Sequence, residues 1–473
     1  MQLSVGFLLA LIAAAATARR VVPMTIHRQS APDGLPVRRR GTVRAPFHEE
    51  LGNNLTVGAY FAEVEVGTPG QKMSLHLDTG STDVWLLSKS ADLCTLSVLQ
   101  SMYGNCKDTF DRTASSTYET LSINNFKIQY MDGSGAQGDF FLDHINVGGL
   151  NVSEVQMGLA KKATSSWGML GIGYNTNSVA EEIYPSIIDQ MYNQDLIGIK
   201  AYSLYLNDLE AKSGTILFGG IDTEKFTGTL KSVPTLPDKD YGHITHFNVS
   251  LTSLSTTSDV SGTSDNFIPY SGVPVILDSG TTYTYLPPEV TAPLFARLNA
   301  VDHSLRVRAP LVYVDCGILE TDPNLSIEYQ FGGADGPKIK VSIADIIFND
   351  IQQYVDSGAL PMDKLPFPRD RVCSLGIMTS AAGDVHLLGD TFLRSAYVVY
   401  DLTNDRVALA QSYMNATRSN VIEIERDAPG IPLATGQPEV SPTGVPKAKE
   451  NGATREAIGM SFVSLGVLAA LML

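Results

Sequence analysis

Leu75-His76-Leu77-Asp78-Thr79-Gly80-Ser81-Thr82 returns 200 positions later as Val275-Ile276-Leu277-Asp278-Ser279-Gly280-Thr281-Thr282. In each copy an apolar run of strand character ends in Asp, a hydroxyl residue, Gly and a second hydroxyl residue. Another apolar patch follows each: Val84-Trp85-Leu86-Leu87 and Tyr283-Thr284-Tyr285-Leu286. A duplication of this kind predicts two related lobes, each presenting one carboxylate at a turn where a strand ends. Asp-Ser/Thr-Gly alone is a weak signal, as a third copy, Asp356-Ser357-Gly358, shows. Polar Gln352-Gln353 precede it and Ala359 replaces the second hydroxyl residue, so it reads as a loop.

Two carboxyls from two lobes suggest a particular chemistry. Cleaving an amide without a metal or a covalent intermediate needs one group to take a proton from water and another to give one to the carbonyl oxygen. Two carboxyls close enough to share one proton supply both, because like charges at that separation cannot both ionise; aspartic proteases are the established instance of this pairing. Asp78 and Asp278 are therefore the candidate catalytic residues, with no cofactor or metal called for. Gly80 and Gly280 let the backbone approach closely. Ser81 and Thr281 can hydrogen-bond the carboxylates, while Thr79 and Ser279 can bond across the lobe junction. Neither HExxH nor GxSxG occurs, and His243-x-x-His246 reads as surface histidines in a strand-like run.

The bulk numbers agree with a two-lobed, all-β, secreted protein. At 473 residues the chain exceeds one ordinary core. Its 41 Gly and 24 Pro suit many turns between short strands. A net charge of −16 leaves no basic footprint for nucleic acid. The four cysteines, Cys94, Cys106, Cys316 and Cys373, have no CxxC spacing and suggest two structural disulfides in an exported chain. Export is suggested by an apolar run from Leu3 to Ala16 followed by Ala16-Thr17-Ala18, a small-x-small cleavage pattern; a buried first helix is the alternative. Sequons at Asn54, Asn151, Asn248, Asn324 and Asn415 are glycosylation candidates.

The chain accordingly divides into a signal peptide (1–18), a basic propeptide (19–40), a first lobe (41–222), a second lobe (223–415), a flexible stalk (416–451) and an anchor signal (452–473). The leader carries six arginines against Asp33, a net of +5, and ends in Arg38-Arg39-Arg40. Taking that +5 from the total of −16 leaves a mature part of −21, so the leader is expected either to lie over an acidic cleft until acid weakens the attraction or to be a disordered segment with a cleavage site. Helices are expected over 178–191, with Ser178 as N-cap, and over 288–298. Residues 252–264, rich in Ser and Thr, read as a loop. At the far end Asn451-Gly452-Ala453, a short polar spacer and the apolar run from Ile458 to Leu473 have the layout of a glycolipid-anchor signal, with Asn451 as the attachment point. A membrane helix is the alternative, but the run is shorter than the roughly 20 residues that a span needs.

Over residues 60–412 the chain resembles the pepsin-like aspartic proteases. Trp85, seven residues after Asp78, stands where the family has a Trp. Ile128-Gln129-Tyr130-Met131-Asp132-Gly133-Ser134-Gly135 is similar to the flap hairpin, whose tyrosine, here Tyr130, closes over substrate and bonds that Trp. Trp167-Gly168-Met169-Leu170-Gly171 and His386-Leu387-Leu388-Gly389-Asp390 are similar to the segments that back the two catalytic loops. The resemblance implies a bilobal β-barrel-like fold, a monomer, an extended peptide or protein substrate in the cleft, and a Cys316–Cys373 disulfide, leaving Cys94–Cys106 to close a loop in the first lobe. With the anchor signal, the layout is similar to the fungal yapsin-type proteases, at the cell surface or wall or released from it. Met131 replaces the family's Gly, which implies altered hairpin mobility and a narrower pocket beneath. Asp132, with Gly133 and Ser134 at the tip, implies some preference for basic residues at the cleavage site, or else a solvated turn. A catalytically silent surface-binding relative is the rival reading.

Overall fold

In Ala62-Glu63-Val64-Glu65-Val66 apolar and acidic residues alternate, which turns Ala62, Val64 and Val66 of the strand Ala59–Val66 inward and Glu63 and Glu65 outward, while Phe61 on the glutamate face is covered by His76 and Trp167. The computed structural model describes residues 20–29 and 59–438, apart from 210, 212, 305–310, 349–350, 352–364, 382, 384 and 427. The expected signal region, Arg38-Arg39-Arg40, Asn54, Asp356-Ser357-Gly358, Asn451 and the expected anchor signal lie outside the described residues.

A 14-stranded sheet builds the first lobe and continues into the second. The junction is the antiparallel pair Ala201–Tyr205 and Ala396–Asp401, in the register Ser203 opposite Val399. Aromatic rings from both lobes pack behind it. Tyr202 stacks on Tyr400 at 5.0 Å between centroids, and Phe247 lies 4.8 Å from Tyr174 and 4.6 Å from Tyr400. Tyr202, Phe247 and Tyr400 have no exposed surface, so the lobes share a core rather than merely touching. The rest of the second lobe is a seven-stranded and a four-stranded sheet. Cysteines 94 and 106 are bonded to each other, as are 316 and 373.

Four stretches differ from the sequence reading. The segment expected to be a leader contributes a strand, Val22–Gln29, inserted between Ser213–Phe218 and Ala59–Val66, with Val22, Met24 and Ile26 buried. This stretch is thus neither a loose cover nor disordered, because its own alternation of buried and exposed residues fits the sheet. The expected stalk also begins later than 416. Val421–Glu423 pairs with Gly220–Asp222, Ile424 is wholly buried among Ile199, Ile221 and Phe226, and bridges at Thr435 and Gln437 hold the chain to Thr229 and Thr227. Residues 252–257 extend the strand Asn248–Thr257, since the β-branched threonines suit a strand whose inward positions Leu254 and Thr256 are buried. Finally, the helix expected over 178–191 spans only Ile187–Asn193. Ser186 caps it in a reciprocal capping box with Asp189, because Asp83 holds the preceding segment through Val179 N–H and the Tyr184 hydroxyl. The helix Pro288–Leu298 forms as its Pro-Glu start predicts.

Candidate active site

Each copy of the repeat ends a strand, Gln71–Asp78 or Val273–Leu277, and each strand is backed by a short parallel strand of its own lobe. In the first lobe Leu77 lies opposite Leu170 and Asp78 opposite Gly171; in the second Leu277 lies opposite Leu388. The apolar patches after each loop return antiparallel to the same backing strands, with Val84 opposite Leu170 and Thr284 opposite Leu388. The loops are thereby fixed from three sides. Ile172 N–H donates to Asp78 O at 3.0 Å and Gly173 N–H to Ser81 O at 2.8 Å. In the second lobe Asp390 N–H donates to Thr281 O at 2.9 Å.

Between the two loops the hydrogen bonds are reciprocal. Thr79 N–H donates to Ser279 Oγ at 3.2 Å, and Ser279 N–H to Thr79 Oγ1 at 2.9 Å. Each hydroxyl then donates to a carbonyl of the opposite strand, Thr79 to Leu277 and Ser279 to Leu77, both at 2.9 Å. Thr79 and Ser279 are both 1% exposed, so these bonds form away from competing water.

The carboxyls point at each other across this clamp. Gly80 N–H donates to Asp78 Oδ1 and Gly280 N–H to Asp278 Oδ1, both at 2.8 Å. Ser81 Oγ donates to Asp78 Oδ2, and Thr281 Oγ1 to Asp278 Oδ2 at 2.6 Å. A methyl group added at Gly80 would meet Asp278 Oδ1 at 2.6 Å, and one at Gly280 would meet Asp78 Oδ1 at 2.6 Å, so glycine is required at both positions. The two carboxyls lie side by side: the methyl carbon added at Gly280 would sit 2.6 Å from Asp78 Oδ1 and 3.1 Å from Asp278 Oδ1. Burial, reinforced by the negative charge of Asp278, pushes the Asp78 carboxyl well above the usual carboxylate range, against the Ser81 hydroxyl and Gly80 N–H that favour its ionised form.

Above the pair, the hairpin of Glu119–Gln129 and Gly135–Val147 turns at residues 130–134. Tyr130 N–H donates to Ser134 O at 2.9 Å, Gly133 adopts φ +81°, and Ser134 N–H and its hydroxyl both donate to Asp132 Oδ1, at 2.9 and 2.7 Å. Buried Trp85 donates from Nε1 to the Tyr130 hydroxyl at 2.8 Å, and that hydroxyl also reaches Ser81. Burial, then the charge of Asp78, holds the Tyr130 phenol well above its ordinary value. The expected narrowing by Met131 is not met: at 58% exposure its side chain faces solvent at the tip, leaving Tyr130 beneath the hairpin.

Sequence reasoning missed three residues around the loops and misread one. Asp83, 1% exposed, anchors the segment beside the flap through Tyr184, and Thr82 donates to Tyr174 O. Asn177 donates to Gly80 O at 3.3 Å and meets His246 at 3.1 Å. His243 is exposed, as expected, but His246 is half-buried in a loop between the lobes rather than on a surface strand. Among the sequons, Asn151, Asn324 and Asn415 are exposed, whereas Asn248 is half-buried in a paired strand with its side-chain oxygen enclosed.

The reciprocal clamp can be tested directly. Thr79→Ala leaves the buried Ser279 N–H without its acceptor, and should cost about 2–3 kcal/mol in denaturant unfolding at unchanged slope, against less than about 1 kcal/mol for Thr79→Ser.

Comparisons with known proteins agree with this geometry. The chain is 34% identical over 432 residues to the probable aspartic-type endopeptidase opsB of Aspergillus fumigatus, an overlap covering 87% of this chain and 83% of that one. It is 32% identical to the aspartic proteinase yapsin-3 of Saccharomyces cerevisiae, over 82% of this chain and 72% of that one. It is 31% identical to secreted aspartic protease 6 of Candida albicans, over 80% of this chain and 82% of that one. Residues 59–412 match the eukaryotic aspartyl protease family. With the duplicated loop, the shared core and the flap, this makes the chain a member of that pepsin-like family and an aspartic-type endopeptidase, with yapsin among its relatives.

Proposed function

We propose that Asp78 and Asp278 cleave peptide bonds by sharing one proton. Whichever carboxyl holds the proton gives it to the scissile carbonyl oxygen, while the other takes one from the attacking water. The tetrahedral product then collapses as a proton passes to the leaving nitrogen. The observation that carries this reading is the approach of the two carboxyls, each beside the other's glycine and each held by a matching Gly N–H and hydroxyl. Thr79, Gly80, Ser81, Ser279, Gly280 and Thr281 support the pair by orienting it. Tyr130, steadied by Trp85, closes over an extended peptide whose backbone supplies affinity and whose side chains supply selectivity. The silent surface-binding alternative is disfavoured because both acids and all their donors are in place.

The chain is made with a signal peptide and a basic leader, glycosylated at one or more of Asn151, Asn324 and Asn415, and carried to the cell surface on a glycolipid at Asn451. In support, a relative is named a secreted protease and the three asparagines are exposed. Among the described residues no helix is long and apolar enough to cross a membrane. Asp132 gives a partial preference for Lys or Arg just before the scissile bond: its bonds to Ser134 use Oδ1, so Oδ2 keeps its acceptor capacity.

Three outcomes are expected. Asp78→Asn should lower pepstatin-sensitive cleavage of a denatured protein at acid pH by at least about 1,000-fold, and the wild-type activity should fall as pH rises through the raised Asp78 value, since the shared proton is then lost. Retained activity in the Asn variant would leave the binding-protein reading standing. Asp132→Ser should reduce cleavage after Lys relative to Leu, and an unchanged ratio removes the specificity claim. Mass spectrometry of the mature protein should find its catalytic chain beginning at or after Gly41 and carrying a glycolipid on Asn451; a catalytic chain that runs unbroken from the leader, or keeps its apolar tail, contradicts the processing scheme.

A further inference from the structure

His246 belongs to the second lobe, yet it meets the first lobe beside the catalytic loop. Asn177, at the end of the short 3-10 turn Asn175–Asn177, sends its side-chain Nδ2 to two acceptors: Gly80 O at 3.3 Å and His246 Nε2 at 3.1 Å. On the far side of the ring, His246 Nδ1 lies 2.8 Å from Thr245 Oγ1, which lies 3.4 Å from Asp238 Oδ2. A second contact fastens the same two segments, Thr176 Oγ1 donating to Ile244 O at 2.7 Å.

The direction of every proton in this chain follows from its ends. Gly80 O only accepts, so the amide of Asn177 must face it with its N–H₂. The other hydrogen of that group then points at His246 Nε2, which must accept and therefore carries no proton. The ring's one hydrogen is on Nδ1 and goes to Thr245 Oγ1, and the threonine hydroxyl is free to donate to the Asp238 carboxylate. Neutral imidazole satisfies all of these bonds; imidazolium does not, because its Nε2–H would face the Asn177 N–H. Asn177 would then have to turn its oxygen to the ring and release Gly80 O, the carbonyl of the residue whose N–H aims at Asp78 Oδ1.

We propose that His246 is a positioning residue for the catalytic loop of the opposite lobe, holding the Gly80 peptide through Asn177 in its neutral form and letting it go when protonated. The proposal rests on the assignment of Asp78 and Asp278 above. The charged groups facing the ring are Asp278 from the catalytic loop and Asp238 from its own segment; both favour imidazolium, but burial outweighs them and lowers the His246 value below the ordinary imidazole one. The relay is therefore complete near neutrality and opens as pH falls below the usual histidine range, so it adds a loss of turnover on the acid side of the profile.

The test is steady-state cleavage of a peptide by the full enzyme from about pH 3 to about pH 7, with melting checked for every variant. His246→Phe and Asn177→Ala should each lower kcat about fivefold near the upper end of that range, with KM changed less than about twofold, and the double variant should be no worse than either. His246→Gln, which offers an amide oxygen near the Nε2 position but does not titrate, should recover most of the lost kcat and hold its turnover to lower pH than the wild type. Additive losses, a change confined to KM, or a Gln variant with the wild-type acid limb would each overturn the proposal. An enzyme that withstands Asp78→Asn sinks the carboxylate assignment; one abolished by Asp78→Asn but indifferent to His246→Phe sinks this inference alone.

Discussion

The reciprocal exchange between Thr79 and Ser279 governs the centre of this molecule, because it brings together two acids that would otherwise separate. Two unit charges about 3 Å apart repel by roughly 5 kcal/mol at an effective dielectric of about 20. Four buried hydrogen bonds, each hydroxyl both accepting and donating, fix the strands that carry the acids, while burial and the charge of Asp278 favour the protonated, uncharged form of Asp78 and so relieve the repulsion. The arrangement still has a cost. A carboxyl that keeps its proton in the folded state, where the unfolded chain would release it, makes folding less favourable as pH rises between the usual carboxylate value and the raised one.

Such a centre needs a rigid mounting, and the aromatic core between the lobes provides it. Tyr174 and Tyr202 come from the first lobe and Phe247 and Tyr400 from the second, so each half supplies part of the other's support. The flap is mounted differently. Its base is a long ladder that pairs in turn with Leu150–Ala163, while toward the tip the Tyr130 hydroxyl is held by Trp85 and Ser81 and Asp132 organises the turn.

What the sequence revealed and what it hid divide along one line. The catalytic loops were readable because duplication wrote them twice in the same local pattern, and Trp85 and Tyr130 only through their likeness to positions of the pepsin-like family. The capped helix start at Ser186 was misplaced because its true boundary depends on Asp83, about a hundred residues away. The tail strand at Val421–Glu423 was hidden for a similar reason: its partner, Gly220–Asp222, lies some 200 positions earlier, and no local periodicity announces a three-residue pairing. His246 was misread because a histidine near the end of a polar loop looks the same whether it meets water or, as here, an asparagine 69 residues away.

The strand Val22–Gln29 carries a consequence of its own. It is flanked on both sides, so withdrawing it would bare two rows of amide and carbonyl groups together with the space filled by Val22, Met24 and Ile26. A cut after Arg40 would sever the covalent tether without loosening any of those bonds. The severed piece would remain as a non-covalent subunit of the enzyme, and anything that displaced it would have to be another extended segment with the same inside-outside rhythm.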